Sequence, residues 1–165
     1  MAISTIVKTK RDGTITFSDN AAAKTLTVAY EQGDLNVSIP GYTIISVLDR
    51  GEFTSTPTLR KGDDQPCTFT FTAYLRDLSD ATFITLESIV CNGGYFASTW
   101  VSRGGATADV KTVLTTWTIE GTNHGDSADH TLALDYCWIT GSVAEGDPGV
   151  ISVSGTAYDL YPTLT

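Results

Sequence analysis

Basic residues are missing from the last third of this chain. All ten Lys and Arg lie between Lys8 and Lys111. From Thr112 to Thr165 there are none, while Glu120, Asp126, Asp129, Asp135, Glu145, Asp147 and Asp159 all fall there. With a formal net charge of -9, the chain lacks the cationic surface that neutralises phosphates, which argues against a tight nucleic-acid binder. Long apolar runs are also missing, and none approaches the ~20 residues of a membrane-spanning helix. In Met1–Arg11 the basic residues follow the short apolar piece, the reverse of a secretory leader, so synthesis and assembly in a cytoplasm are expected. Cysteine is scarce. Cys67, Cys91 and Cys137 are an odd number, form no CxxC pair and sit in apolar-patterned segments. They read as small buried hydrophobes, with a Cys67–Cys137 disulfide as the alternative. GxGxxG, P-loop, GxSxG and HExxH motifs are absent, so neither an enzyme nor a cofactor is expected.

What is present is alternation. A chain of 165 residues suits one domain with a real core. Cys67-Thr-Phe-Thr-Phe-Thr-Ala-Tyr-Leu75 alternates strictly, so Cys67, Phe69, Phe71, Ala73 and Leu75 share one face. Thr68, Thr70, Thr72 and Tyr74 share the other. Further strands are predicted at Thr14–Phe17, Lys24–Tyr30, Leu35–Ile39, Lys111–Glu120, His130–Val143 and Val150–Asp159. Abundant threonine suits pleated, half-solvated surfaces. The expected class is mainly β: antiparallel sheets in a sandwich or barrel-like arrangement, as a single domain over 1–165.

One helix is predicted over Ser79–Asn92. Ser79 fits an N-cap, Asp80 the first turn, and Leu78 with Phe83 a hydrophobic staple. Phe83, Leu86, Ile89 and Val90 make its apolar stripe, and Asn92-Gly93 its stop.

Candidate chemistry is thin. His124, Asp126, Asp129 and His130 match no common metal spacing and lie where Gly, Ser and Asp make turns. Asp63 and Asp64 are neighbours on an extended segment and so point to opposite faces, unsuited to paired acid–base work. Trp100, Trp117 and Trp138, with the tyrosines, suit either a core or a sugar-stacking platform.

A predicted hairpin at about 41–60 is harder to place in a core. Its strands are Tyr42–Asp49 and Glu52–Thr56 around an Arg50-Gly51 turn. Ile44-Ile45 and Val47-Leu48 break the alternation, so both faces are apolar. A ribbon of that kind calls for an intermolecular contact.

The order of these features resembles the tail tube (major tail) proteins of long-tailed bacteriophages. An N-terminal arm (1–13) and strands lead to a long hairpin around Asp49-Arg50-Gly51. Leu59-Arg60-Lys61-Gly62-Asp63-Asp64-Gln65-Pro66 then enters the alternating strand, one helix follows, and Thr-rich strands end in a short tail at 160–165. The likeness lies in layout, since that family has no signature motif. It implies a β-sandwich with one flanking helix that forms hexameric rings stacked into a hollow tube. Inner sheets would join around a lumen, commonly negative, through which DNA passes without specific binding. The implied partners are copies of itself and other tail proteins (tape measure, distal tail, terminator), with no membrane, in a virion tail assembled in the host cytoplasm. Tyr42, Ile44, Ile45, Val47, Leu48, Arg50 and Phe53 become the ring-stacking hairpin. Thr68, Thr70, Thr72, Glu120 and Asp135 become lumen candidates. A related ring-forming protein (distal tail or tube terminator), a capsid decoration protein and a carbohydrate-binding β-sandwich are the alternatives.

Overall fold

The computed structural model describes residues 13–21, 23–28, 35–47, 58–78, 80–119, 121–122 and 126–165. The strands are β1 (Gly13–Ser18), β2 (Thr25–Val28), β3 (Asn36–Ser38), β4 (Tyr42–Val47), β5 (Thr58–Asp64), β6 (Cys67–Tyr74), β7 (Val113–Ile119), β8 (His130–Ala144), β9 (Val150–Ala157) and β10 (Thr163–Leu164). The helices α1 (Leu86–Val90) and α2 (Gly94–Thr99) lie between β6 and β7. The class is mainly β and antiparallel, as the alternation predicts.

One sheet runs β2-β1-β7-β8-β9-β6-β3, with β10 also on β8, and β4-β5 form a separate pair. The main sheet folds over on itself at β8. The first half of β8 pairs with β7, from Ile119↔His130 to Val113↔Cys137. The second half pairs with β9, from Cys137↔Ala157 to Ala144↔Val150. At the changeover the β7 register slips between Val113 and Thr115, and Tyr136 takes a φ of 49°. That is a bulge, which bends and twists a strand. Were the sheet flat, β1 and β6 would lie about 19 Å apart, four strand spacings. Instead the Phe17 and Phe71 rings stack at 6.3 Å, so the two halves close as a sandwich.

The core fills that gap. Ile15 and Phe17 come from one half, and Phe69, Phe71, Ile151 and Val153 from the other, all buried. Phe69 lies against Gly155 of β9, where an added Cβ would stand 2.2 Å from the ring. Cys67 and Cys137 are both buried and free. They flank the same residue, Ala157, on opposite sides. Two strand spacings, roughly 10 Å, exceed the reach of a disulfide. Burial pushes the Cys137 thiol up to about 12. Cys91 is exposed, against the expectation of burial.

The predicted helix is corrected by the structure: it is two short ones, and neither starts near Ser79. Asp80 accepts from the N–H of Thr82 (2.6 Å) and Phe83 (3.2 Å), making a local turn that competes with a helical first turn. Thr85 is the true N-cap, in a reciprocal capping box with Ser88. Leu78 and Phe83, the expected staple, are both exposed. Asn92 does stop α1, with a φ of 48°. Gly93 then starts α2, which Lys111 Nζ closes by donating to the Phe96 carbonyl at 3.1 Å. The C-terminal tail is no loose end: Thr163 and Leu164 pair with Ala133 and Leu132.

Candidate functional site: an uncharged sheet face and an apolar ribbon

Strands β3, β6, β9 and the second half of β8 lie side by side. The inward residues of β6 and β9, with Cys137 and Ile139 of β8, are core, while β8 is exposed on both faces from Thr140 to Ala144. The outward residues fall in register: Thr68 opposite Thr156, Thr70 opposite Ser154, and Thr72 opposite Ser152. β8 extends these rows with Trp138, Thr140 and Ser142. β3 adds Ser38 beside Thr68 and Asn36 beside Thr70. The face thus spans four strands, carries mostly hydroxyls and has no charged side chain in these rows. Across β6, β9 and β8, Thr70, Thr72, Thr140, Ser142, Ser152 and Ser154 line a shallow depression of about 400 Å³. At one end the β8–β9 turn exposes Glu145 and Asp147.

Thr68, Thr70 and Thr72 therefore sit together on this face. Glu120 lies outside the described residues. Asp135 sits at the bulge and meets Arg103 in a two-pronged pair, Oδ1 to Nε at 2.7 Å and Oδ2 to Nη2 at 2.5 Å. That guanidinium holds the Asp135 carboxyl below the usual aspartate range. Its charge is thus matched within the chain. The residues that sequence reasoning missed are Thr140, Ser142, Ser152, Ser154 and Thr156. The same period-two pattern that marked Thr68–Thr72 runs through β8 and β9 and points to them.

The ribbon is the second feature. β3 and β6 are neighbours, and the chain between them leaves the sheet as β4 and β5. The Gln65 N–H donates to the Gly41 carbonyl at 2.7 Å and closes the base. The expected partner strand Glu52–Thr56 and the turn lie outside the described residues, as do Leu48, Arg50 and Phe53. The observed partner strand is Thr58–Asp64, so Leu59–Asp64 is strand rather than a lead-in. Ile44 pairs with Lys61, Ile45 with Arg60 and Val47 with Thr58. A bulge between Tyr42 and Ile44 adds a residue to β5. It brings Lys61 and Asp64 together at 2.6 Å, where an unbroken strand would part them. Every residue of β4 is exposed, Ile44 at 64%, and so is Leu59 of β5, at 63%.

The other candidates resolve as structure. Trp100 is core, 5.1 Å from Phe96. Trp117 packs against the core edge, and only Trp138 reaches the outer face. The tryptophans are therefore dispersed rather than coplanar. Asp129 accepts from the Gly121 and Thr122 N–H groups, and Asp126 meets His130 at 3.0 Å. His124 is outside the described residues, and among those described no His/Cys/Asp/Glu trio could hold a metal.

No protein-family model and no curated protein matches the chain. Solved structures do. The chain is similar to one in an extracellular contractile injection system, the PVC sheath/tube terminator in the extended state, with a TM-score of 0.59, 10% identity and 99% of both chains covered. It is similar to one in the PVC sheath-tube complex in the extended state, with a TM-score of 0.57, 11% identity and 99% of both chains covered. A third likeness is to a chain of the six-fold symmetrised anti-feeding prophage baseplate, with a TM-score of 0.57, 8% identity, and 100% of this chain and 97% of that one covered. At these identities the likeness is one of fold, and over nearly its whole length this chain has the fold of the chains in those structures.

Proposed function

We propose that this chain is a non-enzymatic, ring-forming component of a phage tail or a similar tube. Six copies would close a ring, their four-stranded sheets meeting edge to edge, with the hydroxyl face as the channel wall. The observation that carries this is the uncharged hydroxyl face spanning β3, β6, β9 and β8, with a shallow depression across β6, β9 and β8. Both edges of the four-strand unit are open among the described residues: β3 has one neighbour, and β7 leaves β8 at Cys137. Two different open edges can meet head to tail, and a rotation of one sixth of a turn between copies would close them into a ring.

Hydroxyls stay solvated and offer no cation to a phosphate, so DNA would slide past them. Any negative field would come from the rim, where Glu145 and Asp147 are exposed, rather than from Asp135. Such a component belongs in a virion or virion-like particle with other tube and baseplate proteins.

The ring has two possible fates. The likeness to a sheath/tube terminator structure favours a ring that ends a tube, and the exposed ribbon favours rings that stack. Negative-stain microscopy with sedimentation of the purified protein tests the reading. Six-membered rings, stacked or single, support it, and stacking separates the tube role from the terminator role. A monomer at high concentration, with no ring in particles, contradicts it.

A further inference from the structure

The ribbon joins the sandwich through a break in the hydrogen-bond ladder. The β3–β6 ladder reaches Ser38↔Thr68, and the ribbon's own ladder begins at Tyr42↔Asp64. Pro40 stands on one leg between them and Pro66 on the other. Neither has an N–H to donate, so the ladder is interrupted on both legs. Among the described residues one backbone hydrogen bond crosses the gap, from the Gln65 N–H to the Gly41 carbonyl. Gly41 takes a φ of 71°, which residues with a Cβ resist. Every residue of β4 is exposed, so the ribbon does not lie on the sandwich. These are the features of a hinge.

What bears on this hinge from outside is the segment after β9. Residues 158–165 leave β9 and cross to the first half of β8. On the way the Asp159 carboxylate accepts from the Asp135 N–H at 3.3 Å, and the Leu160 carbonyl from the Cys67 thiol at 3.6 Å. The Tyr161 ring then lies over the hinge: a Cβ added to Gly41 would stand 3.0 Å from the Tyr161 hydroxyl oxygen. Beyond it, Thr163 and Leu164 pair with Ala133 and Leu132, and Thr165 and Thr131 exchange N–H to carbonyl bonds of 3.1 and 2.6 Å. Little apolar surface is buried along the way, since Tyr161 is 54% exposed and Leu164 71%. A segment held by edge hydrogen bonds and few apolar contacts is among the first to open.

We propose that residues 158–165 are a strap that fixes the stance of the ribbon, with Tyr161 as the positioning residue on Gly41 and β10 as the anchor on β8. While β10 is paired, the ribbon is held at one angle. When β10 lifts from β8, the Tyr161 ring leaves Gly41 and the ribbon swings about Pro40 and Pro66. Thr165 lies four residues beyond Tyr161, about 13 Å of extended chain, so a change at β8 acts on the ribbon at a distance. The device sits within one copy and holds whether or not rings form.

Hydrogen exchange at the Gln65 N–H, read by NMR on the full chain, tests this, with the Phe69 N–H of β6 as the core reference. Tyr161→Ala should speed exchange at Gln65 about 10-fold, the factor for losing a half-exposed aromatic contact. Tyr161→Phe keeps the ring and should not. Thr163→Pro with Thr165→Pro removes N–H groups of the anchor and alters nothing at the hinge. It should speed Gln65 by a similar factor and leave Phe69 unchanged. Spin labels at Val47→Cys and Ser152→Cys in a Cys91→Ser chain, diluted with unlabelled protein, give the second readout. One narrow distance is expected in the parent, and a broad spread in the Tyr161→Ala and proline variants. Unchanged exchange at Gln65 when the anchor is lifted, a rise that Phe69 shares, or a distance that is equally narrow or equally broad in all the chains overturns the strap. None of these outcomes depends on rings, so the tube reading is judged separately by microscopy.

Discussion

Strands β4 and β6 are separated by one strand in sequence yet present opposite surfaces. β6 reads Cys-Thr-Phe-Thr-Phe-Thr-Ala-Tyr, and its burial follows the alternation residue by residue. β4 reads Tyr-Thr-Ile-Ile-Ser-Val, and every residue is exposed. The apolar content of the two is similar. The difference lies in order: β6 keeps its apolar groups on one face, which a single sandwich can cover. β4 puts Ile44 and Ile45 on opposite faces, and no single sheet can cover both. An intramolecular core satisfies the first pattern, and the second stays exposed.

Substitutions in the two strands should therefore report on different things. The largest effect belongs to β6. Phe71→Ala removes a ring stacked on both Phe17 and Phe69 and should cost about 3–5 kcal/mol of unfolding free energy. Chemical denaturation of the monomer would measure it, and a loss below about 1 kcal/mol would mean that the sandwich does not depend on this contact. By contrast, replacing Tyr42–Asp64 with a short Gly/Ser link from Gly41 to Gln65 should leave the monomer's circular dichroism intact. The Gly41–Gln65 hydrogen bond already holds those ends together, and loop shortening changes closure entropy little. Assembly should be lost. A deletion that unfolds the protein would return the ribbon to the core.

An intermediate effect is expected at the bulge that lets β8 serve both halves. Arg103→Ala strips Asp135 of its two-pronged partner and should cost about 1.5–3 kcal/mol near neutral pH, the range for a hydrogen bond to a charged group. The carboxyl's pKa is depressed in the folded state, chiefly by the Arg103 hydrogen bonds. Its contribution is thus fully present above the unfolded value near 3.9 and lost as pH falls through the folded one. The stability gap between wild type and Arg103→Ala should therefore close progressively below about pH 4. A gap that stays constant from pH 7 to pH 3 would show that the pair's charge contributes nothing.

The smallest effect on stability is expected on the hydroxyl face. Thr70→Lys with Ser142→Lys changes exposed positions two strands apart on this face, so unfolding should move by no more than about 0.5 kcal/mol. Passage of DNA should nonetheless slow, more at low salt than at high, because the wall now binds phosphates. Equal release of DNA at low salt would remove this face from the channel.

Much of this was legible in the residues because it depends on period two. The seven strands predicted outside the hairpin all recur, since each carries its own alternation and its own Gly, Pro or Asp stops. The hairpin was readable as an exposed ribbon from Ile44-Ile45 alone, although its second strand lies later than predicted. That strand, Thr58–Asp64, is charged and exposed, so no apolar period marks it. The helix was misjudged because Ser79, the expected N-cap, and Thr85, the observed one, are both cap-forming residue types, and only the fold decides which one captures the backbone. The full hydroxyl face could not be read, because the pairing of β8 with β9 and β6 is a long-range fact. Asp135 looked free because its partner, Arg103, lies 32 residues away in sequence.

The central claim is that the uncharged face of the four-strand unit lines a channel while the ribbon contacts another ring. A cryo-EM reconstruction of the assembled protein tests this most directly. The account predicts a six-membered ring with Thr70, Thr140 and Ser154 facing the central opening and β4–β5 projecting along the axis. A ring with those hydroxyls on its outer surface, or with the ribbon folded over its own sandwich, would contradict it.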